Sequence, residues 1–235
     1  MKMKIKNIEK SSTVDYPPHI SAVVFLSGCN FRCPFCYNKE LVDDTSDLPD
    51  IPKDEFLEWL TTRDGKLDAI VLTGGEPTIN GNELVEFAHE IKELGFKIKL
   101  DTNGSNPELM KQMIDQQLVD YIAVDLKADR IKYNQACGID FDMSKMDRTI
   151  AILSENKVPY EFRTTVVPGI HDDNVLKTMA LYIKNSPKYF IQQFKPINTL
   201  DPTYEKIIPF SESDMEKFKK DMQYLTTVME MEFRR

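Results

Sequence analysis

The stretch Ile20-Ser-Ala-Val-Val-Phe-Leu-Ser-Gly-Cys-Asn-Phe-Arg-Cys-Pro-Phe-Cys36 joins a short apolar run to a loop that carries three cysteines. Residues 20–26, rich in β-branched side chains, read as a strand buried on both faces. The arrangement recurs along the chain. Residues 69–72 lead into Thr73-Gly-Gly-Glu-Pro-Thr78, residues 96–100 into Asp101-Thr-Asn-Gly-Ser105, residues 121–124 into Asp125-Leu-Lys127, and residues 160–167 into Pro168-Gly169, while residues 189–194 supply a sixth run. Between them, residues 53–61, 82–94, 107–117, 146–156 and 174–184 show apolar side chains at three- and four-residue spacing, as amphipathic helices do. Strand alternating with helix predicts an α/β fold of parallel strands, with the polar and glycine-rich motifs at their carboxyl ends, where such folds place active sites. A last helix, from about residue 213 to 227, is expected to cover an edge of the sheet.

The 235 residues are 41% hydrophobic and 29% charged, with 9 Gly and 13 Pro, which suits one sizeable domain and excludes disordered and low-complexity chains. One domain over 1–235 is expected, with its core at about 15–200 and a helical extension at about 210–230. Net charge is -8, the wrong sign for a protein that grips nucleic acid through phosphates. No apolar run approaches the roughly 20 residues needed to span a bilayer, so a cytoplasmic protein free of the membrane is expected.

Three of the four cysteines crowd into residues 29–36, poor spacing for disulfides that staple distant elements. Cys29, Cys33 and Cys36 stand in C-x3-C-x2-C spacing, so their thiolates can converge on one metal centre. A closed structural zinc site takes four ligands, and neither Cys137 nor His19 stands in a finger register with the three. An iron-sulfur cluster with one open iron suits three ligands better, although spacing alone leaves zinc or incidental cysteines open.

C-x3-C-x2-C after the first strand, followed by Gly74-Gly75-Glu76-Pro77 after the second, resembles the radical S-adenosylmethionine superfamily. The match is closer to its glycyl-radical-enzyme activating enzymes, and closest to anaerobic ribonucleoside-triphosphate reductase activating proteins. It is carried by Val14-Asp15-Tyr16-Pro17, residues 27–38, Thr73 to Pro77, Asp101 to Gly104, Asp125-Leu126-Lys127, Arg163 with Val166 to Gly169, and Gln192-Gln193-Phe194-Lys195-Pro196. The resemblance implies a partial (β/α)6 TIM-like barrel with outer helices. It also implies a 4Fe-4S cluster on Cys29, Cys33 and Cys36, whose open iron is chelated by S-adenosylmethionine; reductive cleavage then gives a 5'-deoxyadenosyl radical that takes a hydrogen atom. Lys127 and Arg163 join the cysteines as catalytic candidates.

Carried over residue by residue, Phe35, Cys36 and Tyr37 meet the adenine, Gly74, Gly75 and Glu76 receive the methionyl amino group, and Asn103, Lys127 and Arg163 line the remaining cofactor surface. Glycines let a backbone approach a ligand closely, and cations face its carboxylate. Asp101, Thr102 and Asp125 match a monovalent-cation site of related activating enzymes, or else cap turns and pair with Lys127 and Arg163. The implied partners are a glycyl-radical enzyme, foremost anaerobic ribonucleotide reductase, and a flavodoxin- or ferredoxin-type electron donor. Tyr37 departs from the histidine common after the third cysteine. Residues 37–72 lack further cysteines, so one cluster is expected. Cys137 reads as a small buried or loop residue, and His19, His89 and His171 as surface or helix-capping residues. The alternatives are a radical S-adenosylmethionine enzyme acting on a small molecule or peptide, such as a 7-carboxy-7-deazaguanine synthase-like enzyme, and a non-catalytic cluster or zinc protein.

Overall fold

Apolar runs become strands wherever both faces are covered. The computed structural model describes residues 2–43, 48–223 and 230–234, and they form two compact units that alternate along the sequence. Met1–Asn30, Glu40–Ile122 and Lys157–Pro159 make the first; Phe31–Lys39, Ala123–Asn156 and Tyr160–Arg235 make the second.

In the first unit, strand β1 (Ile5–Ser12) pairs antiparallel with β2 (Ser21–Leu26), Ile8 opposite Val24 and Ser12 opposite Ser21. β2 pairs parallel with β3 (Ala69–Gly74), Ser21 against Ala69 and Leu26 against Gly74, and β3 with β4 (Lys97–Thr102). Helices α1 (Lys53–Thr61), α2 (Asn82–Glu93) and α3 (Pro107–Asp115) lie between the strands in sequence. In α2, Leu84, Val85, Phe87, Ala88 and Ile91 are buried, the one-sided stripe that helical periodicity predicts. Val24, Leu26, Ile70, Leu72, Ile98 and Leu100 are fully buried on one face of these strands, and Val23, Ala69 and Val71 are buried on the other.

Strand β5 (Tyr121–Asp125) starts in the first unit and ends in the second. The second unit continues with α4 (Tyr133–Cys137), α5 (Met143–Leu153), β6 (Tyr160–Val166), α6 (Asp173–Tyr182), β7 (Lys188–Gln193), α7 (Glu212–Gln223) and β8 (Glu230–Arg234). β6 and β7 run parallel, Phe162 against Tyr189, and β7 and β8 run parallel as well, Lys188 against Glu230. Asp142 caps α5 by accepting from Ser144 N, and Asp172 caps α6 by accepting from Asn174 N and Val175 N, each at 2.9 Å.

All six expected strands are present, as are the helices, with end shifts of a few residues. α7 leads on to an eighth strand instead of ending a helical extension, so the element after β7 is another β/α step; the expected helix end at 224–227 lies outside the described residues. β1 and α4 were not expected.

Candidate cofactor site

In the first unit the carboxyl ends of β2, β3 and β4 are sewn together by backbone and side-chain bonds. Gly28 N–H donates to Leu41 O at 2.8 Å and Cys29 N–H to Val42 O at 3.0 Å, which seats the first cysteine. Gly75 N–H donates to Leu26 O at 2.9 Å and Glu76 N–H to Gly28 O at 2.8 Å. A methyl group on Gly75 would lie 2.0 Å from Gly28 O, and one on Gly74, at φ +125°, 2.3 Å from Leu26 N and O. Both glycines are therefore required because backbone packs on backbone, whereas the sequence suggested room for a ligand.

Glu76 is buried, and its carboxylate joins two strand ends. Oε1 accepts from Thr78 N at 3.0 Å, Thr78 Oγ1 at 2.5 Å and Thr102 Oγ1 at 2.7 Å, while Oε2 accepts from Asn103 N at 2.6 Å. Burial pushes its pKa up, and these bonds pull against that shift. Asn103 in turn donates through Nδ2 to Asn30 Oδ1 at 2.9 Å, and Asn30 donates to Ser105 Oγ at 2.8 Å. Asn30 follows Cys29, so the amide of Asn103 steadies the chain beside the first thiol. Asp101 pairs with Lys99 at 3.0 Å.

In the second unit the remainder of the cysteine loop is anchored from two segments. Arg32 N–H donates to Cys137 O at 2.8 Å; Leu200 N–H donates to Cys36 O and Asp201 N–H to Pro34 O, both at 2.9 Å. Gly138, at φ +71°, presses so closely on the loop that a methyl group there would lie 2.0 Å from Arg32 O. Phe31 is buried edge-on against Phe141, 5.1 Å between ring centroids, and Phe141 stacks on Tyr133 at 5.1 Å. Cys33 is buried, Cys36 partly so, Phe35 is buried, and Tyr37 is about half exposed, an aromatic face open to a ligand.

At the end of β5, Asp125 Oδ1 lies 2.9 Å from Arg163 Nε and Oδ2 lies 3.1 Å from Lys127 Nζ. Burial works against the charge of Asp125, but Arg163 and Lys127 prevail and hold its carboxyl down at about 2. Burial likewise works against the Lys127 ammonium, and Asp125 with the Cys33 sulfur holds its pKa above the ordinary value. His171, only 2% exposed, accepts from Val167 N at Nδ1 at 3.0 Å and faces Lys127 O from Nε2 at 2.9 Å. A carbonyl can only accept, so Nε2 carries the proton. Burial lowers the His171 pKa to about 4. This histidine was expected at the surface; it is instead the buried tie between the β5 end and the turn after β6.

The structure thus gathers Gly74, Gly75, Glu76, Thr102, Asn103 and Asp101 with Cys29 in the first unit, and Cys33, Phe35, Cys36, Tyr37, Asp125, Lys127 and Arg163 in the second. Cys137 is buried, as expected, but its carbonyl anchors the cysteine loop. Among the described residues no helix is long and apolar enough to cross a membrane.

The family model described as the radical SAM superfamily matches residues 23–182. The chain belongs to the radical SAM superfamily. A Methanocaldococcus jannaschii protein named as a candidate glycyl-radical enzyme activating enzyme is 35% identical to this radical SAM protein over 225 residues, 94% of this chain and 92% of its own. A 7-carboxy-7-deazaguanine synthase of Thermococcus kodakarensis is 31% identical over 127 residues, 46% of this chain and 49% of its own. Among solved structures, a radical SAM methyltransferase of Sphaerobacter thermophilus superposes with a TM-score of 0.72 at 16% identity, covering 94% of this chain and 68% of that one, a likeness of fold.

The radical SAM family implies a 4Fe-4S cluster and S-adenosylmethionine, and the donor set fits a cluster. None of the three loop cysteines is in a disulfide, and the Lys127 ammonium lies close enough to Cys33 and Cys36 for their sulfurs to raise its pKa. Among the described residues no three His, Cys, Asp or Glu side chains meet around one ion; thiolates that each bind a separate iron need no such meeting.

Proposed function

We propose that this radical SAM protein activates a glycyl-radical enzyme, with anaerobic ribonucleoside-triphosphate reductase as its partner and a flavodoxin- or ferredoxin-type protein as electron donor. The activating-enzyme role is supported by the near-full-length likeness, at 35% identity, to a protein named as a candidate activating enzyme, while the choice of partner and electron donor rests on the resemblance of the sequence motifs. Cys29, Cys33 and Cys36 would hold the cluster. When bound, that group would supply the one-electron reduction that cleaves S-adenosylmethionine into methionine and a 5'-deoxyadenosyl radical able to take the α-hydrogen of a partner glycine.

The chain's own residues prepare this chemistry by placement and charge. Lys127 and Arg163, each held in position by one oxygen of Asp125, present two fixed cations for the methionyl carboxylate. His171 fixes the Lys127 carbonyl, and so the backbone from which that ammonium projects. Tyr37 offers its exposed ring to adenine. Glu76 spends its carboxylate on the Thr78, Thr102 and Asn103 donors, and so acts by fixing the glycine turn and the asparagine that are assigned to the methionyl end.

A second reading is supported by the 127-residue likeness to a 7-carboxy-7-deazaguanine synthase: a small molecule would then give up the hydrogen. One assay separates them. The reduced, cluster-loaded protein is incubated with S-adenosylmethionine and the ribonucleotide reductase of the same genome. A glycine-centred doublet in the electron paramagnetic resonance spectrum, with matching 5'-deoxyadenosine, is expected. Turnover of a deazapurine precursor with no doublet on the reductase would establish the second reading instead.

A further inference from the structure

Lys99 is a lysine where a parallel strand should carry an apolar side chain. It stands two residues before Asp101 on β4, on the same face, and the two side chains are only 3% and 11% exposed. Lys99 Nζ lies 3.0 Å from Asp101 Oδ1, an ion-pair contact without a hydrogen bond to that oxygen, and donates to Asp15 O at 2.7 Å. The ammonium thus ties the Val14-Asp15-Tyr16-Pro17 segment, which no step above uses, to the carboxylate at the end of β4. Burying such a pair is costly unless both charges are matched, and removing one partner leaves the other uncompensated.

The resemblance read from the sequence implies a monovalent cation at Asp101, Thr102 and Asp125, and the bonding of each of these side chains does not suit one. The Asp101 carboxylate already faces an ammonium, and a second cation beside Lys99 would meet a like charge at short range in a water-poor setting. Thr102 Oγ1 donates to Glu76 and accepts from Gly104 N at 3.1 Å, so most of its bonding capacity is committed. Both oxygens of Asp125 face cations of their own, Lys127 and Arg163. We propose that Lys99 is the built-in counter-ion of Asp101, and that this protein binds S-adenosylmethionine without a bound monovalent cation.

The proposal rests on reading these strand ends as a cofactor site, and its test has an arm that does not. Binding of S-adenosylmethionine to the cluster-loaded protein is measured in sodium, potassium and tetramethylammonium chloride at one ionic strength, beside thermal melting of the same samples without the cofactor. The parent protein is expected to bind within about twofold in all three salts, since a general screening effect is held constant, and to melt at one temperature. Lys99→Met is expected to bind roughly tenfold more tightly, and to melt higher, in sodium or potassium than in tetramethylammonium, as a small ion refills the lost charge. Lys99→Arg keeps a fixed cation and should behave as the parent does. A parent protein that needs sodium or potassium for binding or for stability overturns the proposal. So does a Lys99→Met protein as indifferent to salt as the parent. Should Lys99→Met fail to fold, the parent and Lys99→Arg series decide alone. Should no salt support cofactor binding, the cofactor reading fails while the melting series still decides the role of Lys99.

Discussion

Acidification should find His171. Its imidazole is 2% exposed, and its two bonds demand the neutral form with the proton on Nε2: protonating Nδ1 would set it against the Val167 N–H that it now accepts. The unfolded chain takes up a proton near pH 6.5, the ordinary value, and the folded chain refuses it until about 4. The contribution is therefore complete above pH 6.5 and is lost as pH falls through the interval between these values. The full difference corresponds to about 3 kcal/mol, of which about 2 kcal/mol is lost between pH 7 and pH 5. The measurement is urea unfolding of the parent and of His171→Asn at both pH values, since an amide can serve both bonds without titrating. The parent should lose about 2 kcal/mol more than the variant over this range. Equal losses would refute the argument that a neutral, buried imidazole ties Lys127 to the turn after β6.

Three further sets of substitutions follow from the geometry. Cys29→Ala, Cys33→Ala and Cys36→Ala should each abolish the iron-sulfur absorption of anaerobically reconstituted protein, which otherwise carries about four irons per chain, while Cys137→Ala keeps it, because only the Cys137 carbonyl serves the loop. Gly75→Ala should cost about 3 kcal/mol in chemical denaturation, since its methyl group would overlap Gly28 O, and should also lower iron content because Gly28 precedes Cys29. Gly138→Ala should weaken iron retention, whereas Gly95→Ala, also at positive φ but with nothing within 4 Å, should cost only its backbone strain of about 1 kcal/mol and leave the iron unchanged.

The legible part of the fold is the part in which local sequence and burial agree. β2, β3 and β5 are nearly continuous apolar runs, as parallel strands covered on both faces require, and β4, β6 and β7 keep enough apolar positions to be read despite their charged residues. β1 is hard to read because the lysines and glutamate of Ile5-Lys-Asn-Ile-Glu-Lys-Ser-Ser dilute the apolar pattern, although Lys6 is itself buried. α4 has five residues, too few to show a helical period. The true start of α5 was readable in hindsight, since Asp142 precedes it as a cap.

In the site, cysteines, glycines and the Asp125-Leu-Lys127 run announce themselves by type and spacing. Partners acting across the fold do not. Lys99 interrupts a run expected to be apolar, yet it shares a face with Asp101, and a charged pair two apart on a buried strand is the available signal. His171 has Val167 as a partner four residues away, but meets Lys127 O only when β5 and β6 are in place. The glycines have a further reason that letters alone do not show, the backbone of Leu26 and Gly28 packed against them.

The Glu76 carboxylate has a consequence for anyone who would graft these loops elsewhere. Its four bonds make Thr73 to Thr78 and Thr102 to Ser105 a single inheritable block, though 23 residues separate them in sequence. A chimera that takes one segment from a homologue and keeps the other inherits donors without their acceptor, and recombination breakpoints inside α2 should be poorly tolerated even when each parental loop is intact.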